Sequence, residues 1–133
     1  MLPERAAAAF EGGDWRTAAA LYHRLVGLEP ARSVYWLRLG TALHRTGQED
    51  QALGALEQAE RAGAAVSQVA WELALVQGAR SDARSALAQL GRAIRDGRGR
   101  PDLIESAPEL QALHGKSEFD QLVGQARRNE APC

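Results

Sequence analysis

Apolar residues along the chain recur at helical intervals and are interrupted at regular places by glycine, proline or serine. The clearest stretch is 36–59, where Trp36, Leu39, Gly40 and Leu43 read W-x2-L-G-x2-L and are followed, beyond Gly47, by Ala52, Leu56 and Ala59. Both runs have the period of an α-helix buried on one face, and Gly47 separates them. The same reading along the chain predicts helices over 3–11, 15–28, 33–46, 49–62, 67–79 and 82–95, then shorter ones over 101–106, 108–114 and 117–128. Pro3 suits a first helical turn, where its missing N–H costs nothing. Asp14 and Ser33 are placed to cap the helices that follow them, and Ser117-x-x-Asp120 resembles a capping box.

The small-residue skeleton repeats every 34 residues. Gly13, Gly47 and Ser81 occupy the turns; then come Ala18, Ala52 and Ala86, then Tyr22, Leu56 and Leu90, then Leu25, Ala59 and Ala93. A period of about 34 residues made of two helices is the sequence signature of tetratricopeptide repeats. Over about 2–98 the chain resembles that family. The resemblance implies an all-α fold: a right-handed superhelical solenoid of three helix-turn-helix repeats (about 1–32, 33–66 and 67–100) forming one domain over 1–133. The third repeat departs from the family pattern, with Ala70 in place of the tryptophan, Gln77 in place of an aromatic, and Gly97 and Arg98 where the terminal proline belongs. Gly115 keeps the register, but Pro108 breaks the helix a fourth repeat would need. Residues 101–128 therefore read as a degenerate unit capping the array, similar to the tails that close such arrays in many bacterial proteins, and 129–133 as a frayed end.

Composition narrows the picture further. The net charge is −1, which gives no electrostatic case for nucleic acid or an anionic membrane. Fifteen of the sixteen cationic residues are arginine, a bias that a GC-rich genome explains as readily as a binding role. The single cysteine, Cys133, leaves no internal disulfide to form, and residues 1–9 lack the apolar core of a signal peptide. A cytoplasmic protein is the expectation.

Two tryptophans differ in register. Trp36 lies on the stripe with Leu39 and Leu43 and is expected in the core. Trp71 falls one position out, on a face shared with Gln68, Glu72 and Leu75, and is expected to be partly exposed. The equivalent face of helix 33–46 carries Val34, Leu37, Arg38, Thr41, His44 and Arg45. The family resemblance implies that these first helices line a concave groove, so the ten residues are the candidate partner-binding site, anchored by Trp71, Leu37 and Leu75. Trp and Arg dominate interface energetics. Arg38 is the one residue placed as a fork for a carboxylate or phosphate. The positions at which co-chaperone members hold a peptide carboxylate are Pro3, Ala7, Arg38, Gln68 and Glu72 here, which argues against that ligand.

Nothing in the sequence points to catalysis or a cofactor. His23, His44 and His114 fall on different helices without ligand spacing, so no metal is expected, and His44 reads as a surface or helix-end residue. Ser81, Asp82 and Ser85 are explained as turn and cap, and the glycine-arginine run 97–100 as a flexible connector. The expected function is a non-catalytic adaptor that binds a peptide segment or helix of another protein in its groove, with no cofactor, nucleic acid or membrane. The alternative is a self-association or docking module of a larger enzyme or regulator, in which case the chain forms a homo-oligomer.

Overall fold

A computed structural model describes residues 1–130, and every regular element among them is helical. In order these are α1 (Leu2–Glu11), α2 (Trp15–Leu28), α3 (Ser33–Arg45), α4 (Glu49–Arg61), α5 (Val66–Ala79), α6 (Ala83–Arg95), α7 (Pro101–Ser106), a 3-10 helix (Pro108–Leu113) and α8 (Ser117–Glu130). Among the described residues no helix is long and apolar enough to cross a membrane. The chain divides into two compact units, Met1–Ala65 and Val66–Cys133.

In the first unit each helix packs on the next, from α1 through α4. The second is a hairpin of α5 and α6, with the 3-10 helix laid on both and α8 packed on α6 and α7. The 34-residue skeleton is what lies inside these units. All nine residues that follow the turns are buried, from Ala18, Tyr22 and Leu25 to Ala86, Leu90 and Ala93.

The turns themselves repeat. Gly13, Gly47, Ser81 and Gly115 have φ of 77°, 81°, 63° and 89°, the left-handed region that ends helices. The N–H groups of Asp14, Gln48 and Asp82 reach back to the carbonyls of Ala9, Leu43 and Gln77, each at 2.9 Å. A second set closes α4 and α6, where Gly63 and Gly97 have φ of 101° and 104° and precede equivalent bonds from Ala64 and Arg98. One backbone device thus ends five helices. Only Ser81 carries it without the freedom of glycine.

Asp14 and Asp82 cap α2 and α6 by accepting from the N–H groups of Thr17 and Ser85 at 3.3 and 3.1 Å. Ser33 does not cap: it is the first residue of α3, and Arg32 precedes it as an N-cap with no side-chain bond.

Two further expectations are corrected. Trp36 is only half-buried; its indole N–H donates to the Pro30 carbonyl at 2.8 Å, and Tyr35 occupies the core beside Leu39, Ala42 and Leu43. The end of the chain is not frayed at 129–130, because α8 runs to Glu130 and Asn129 donates to the carbonyls of Ile94 and Arg98, both at 2.8 Å. Residues 131–133, Cys133 among them, lie outside the described residues.

Residues 101–130 complete the core of the second unit. Ile104, Leu110, Leu113, Phe119, Val123 and Ala126 are buried together with Leu75, Leu90 and Ile94. Their arrival is set by Gly78 on α5, where a Cβ would overlap the Glu109 carbonyl. The 3-10 helix lies directly on the α5 backbone there.

Candidate functional site

The ten residues singled out on helical faces divide between the units, six on α3 and four on α5. On α3 the arginines are turned towards the aromatic side chains of α1 and α2. Arg38 donates from Nη1 to the Tyr22 hydroxyl at 2.8 Å, with its guanidinium 4.8 Å from the Phe10 ring centroid and 5.9 Å from that of Tyr22. Arg45 lies 5.1 Å over Trp15. The rings form a chain of their own: Trp15 to Phe10 at 5.1 Å, Phe10 to Tyr22 at 6.2 Å, Tyr22 to Tyr35 at 5.9 Å. The first two contacts are edge-to-face, the geometry that the ring quadrupoles favour. Arg38 is therefore engaged within the unit, and its role as a fork for an incoming anion has to compete with these partners.

Thr41 and His44 are interior. Thr41 donates to the Leu37 carbonyl at 3.1 Å, and His44 Nδ1 lies 2.7 Å from Glu49 Oε1 at the start of α4. The expected surface position of His44 is corrected by its 6% exposure. A histidine at a helix end is buried here because the next helix begins within reach and supplies a carboxylate. Of the α3 set, Val34 is 41% exposed, Arg45 is exposed, and Leu37 is half-buried.

On α5, Leu75 is buried in the core of the second unit, Trp71 and Glu72 are half-buried, and Gln68 is exposed. Trp71 packs against that core from the side. Its ring is covered by Arg98, whose guanidinium carbon stands 4.0 Å from the ring centroid. Burial lowers the pKa of Arg98 from its ordinary value, the nearby Glu72 carboxylate opposes that shift, and Arg100 adds to it. The guanidinium stays charged throughout the physiological range.

Arg98 and its neighbours are the residues that sequence reasoning misplaced. The run 97–100 is tied down along its length: Asn129 holds the Arg98 carbonyl at 2.8 Å, and Glu130 accepts from the Arg100 N–H at 3.2 Å. No local pattern in the sequence pairs Arg98 with Trp71. A second feature was legible in outline, since α6 is the most strongly amphipathic of the helices and its outer stripe carries Arg84, Arg92 and Arg95.

Among the described residues no three His, Cys, Asp or Glu gather where they would hold a metal ion. The fold and these surfaces define an all-helical, repeat-like protein. Residues 1–65 match the family model of the bacterial transcriptional activator domain, a span that coincides with the first compact unit. No curated protein matches the chain.

Proposed function

We propose that the chain is a non-catalytic protein-interaction module built from tetratricopeptide-type helix hairpins, with the first helices of successive hairpins carrying the residues that contact a partner. The observation that supports this most is the recurrence of one left-handed turn at Gly13, Gly47 and Ser81, each followed by the same buried small-then-large pattern. Repeats of this kind bury their faces on their neighbours and leave extended helix surfaces for docking. Val34, Leu37 and Arg45 on α3, and Gln68, Trp71 and Glu72 on α5, are members of the candidate set that retain accessible surface with the chemistry of an anchor and its rim.

Affinity capture from the native host, read by mass spectrometry, tests the proposal. A protein captured by the wild type and lost with Val34→Asp, with the helical signal unchanged, supports it. Equal capture by both chains counts against α3.

A second reading has its own support. The match of residues 1–65 to a domain of bacterial transcriptional activators favours a docking or self-association module within a larger regulator. Sedimentation equilibrium distinguishes it, through a dimer that grows with concentration. The same match leaves the expected absence of a nucleic-acid partner without support, so a DNA duplex belongs among the ligands titrated.

A further inference from the structure

The second unit carries an open groove of about 910 Å³ between α6 and α8. Small and apolar residues line it: buried Gly91, half-buried Leu87 and Leu122, and exposed Ala88. Its walls are cationic: Arg84, Arg92 and Arg95 from α6, Arg128 from α8, and Lys116 just before α8. Glu118 is the single carboxylate among the lining residues. Residues 66–133 hold nine arginines and lysines against nine aspartates and glutamates, so the unit is neutral overall. Five of those nine cations line this groove, with one of the nine carboxylates. The charge is segregated.

The two helices run in the same direction. Leu122 Cδ2 stands 3.8 Å from the place where Gly91 would carry a Cβ, and further along Asn129 bonds to the Ile94 carbonyl at 2.8 Å. Arg95 Nη1 stands 3.1 Å from the same place beside Gly91, so its guanidinium reaches back over Gly91 within the groove. With 13 residues, α6 gives a trench about 20 Å long, enough for roughly three to four turns of another helix.

We infer that this groove docks an acidic amphipathic segment of a partner protein. Apolar side chains of that segment at helical spacing would cover Leu87 and Leu122. Its carboxylates would meet Arg84, Arg95, Lys116 and Arg128 along the rims. The combination decides the chemistry of the occupant. A nucleic-acid backbone satisfies the cations but brings nothing apolar to Leu87 and Leu122, and a small anion spans too little of the length. A segment with one acidic and one apolar face complements both. This surface is distinct from the residues discussed on α3 and α5, and the inference stands or falls separately from them.

Selection of displayed peptides of about 16 residues against the intact chain tests it, followed by fluorescence anisotropy with the most enriched sequence. The expected result is enrichment of net-negative peptides with paired apolar residues, and binding that falls as salt is raised. Arg95→Glu combined with Arg128→Glu should weaken binding by about tenfold or more while the helical signal is unchanged. Ala88→Glu, which puts a carboxylate at an exposed lining position without replacing any of the cations, should do the same, and serves if the double variant fails to fold. Enrichment of neutral or basic peptides would overturn the inference. So would binding indifferent to both variants, or a short DNA duplex that displaces the peptide and binds more tightly than it.

Discussion

The guanidinium carbon of Arg98 stands 4.0 Å from the ring centroid of Trp71, although the two residues are 27 positions apart in sequence. The contact fastens the segment after α6 to the flank of α5. It also puts a charged group beside a half-buried ring where a simple helical-wheel reading leaves the ring to solvent. Trp71→Ala should therefore cost about 2 kcal/mol, less than the 3–5 kcal/mol typical of a fully buried aromatic, because part of the ring is already exposed. Arg98→Ala should cost about 1 kcal/mol through the lost cation–π contact and packing, and Arg98→Lys should recover only part of it. Chemical denaturation of the three variants measures both effects. A Trp71→Ala chain as stable as the wild type would show that the ring contributes nothing to the fold.

Gly78 is the point at which the 3-10 helix touches α5, and any side chain there meets the Glu109 carbonyl. Because the obstacle is backbone rather than a flexible side chain, relief requires the whole segment to move. Gly78→Ala should destabilise the second unit by about 2 kcal/mol or more, despite the better helix propensity of alanine. A neutral or stabilising result in thermal melts would show that the contact yields easily.

Ser81 should respond in the opposite sense. It holds φ at 63°, which its glycine counterparts at 13 and 47 adopt without penalty. Ser81→Gly should raise stability by about 0.5–1 kcal/mol by relieving the left-handed strain. A lower melting temperature would place the strain elsewhere.

Removing the chain after Arg100 should uncover Leu90, Ile94 and Leu75, which the buried side chains of the 3-10 helix and α8 now cover. The shortened chain is expected to aggregate or to melt well below the full chain, as arrays do without their caps. Sedimentation velocity and a thermal scan check this. A monomer of unchanged stability would make 101–130 an appendage.

The helices and turns were readable because both are written locally. Eight of the nine predicted spans agree with the structure to within one residue at each end, 15–28 and 101–106 at both ends without change. Glycine at 13 and 47 and the spacing of Ala18, Tyr22 and Leu25 announce the hairpins before any contact is known. The register of Trp36 was misread because one residue of rotation, about 100°, separates a buried position from its neighbour, and Tyr35 competes for the same slot. Conserving a motif's letters does not fix which ring is buried. The cover over Trp71, the buried pair of His44 with Glu49, and the gathering of cations between α6 and α8 all depend on how non-adjacent elements meet. Periodicity along a single helix does not contain that information.

Docking of a protein through the exposed positions of α3 is tested most directly by calorimetric titration of a captured partner segment into the wild-type chain and into Val34→Asp. Val34 is 41% exposed, so its replacement should leave the melting temperature nearly unchanged. The expected result is an affinity about tenfold weaker for the variant, roughly 1.4 kcal/mol. Equal affinity for the two chains at equal stability, or a DNA duplex that binds the wild type more tightly than any captured protein does, would contradict it.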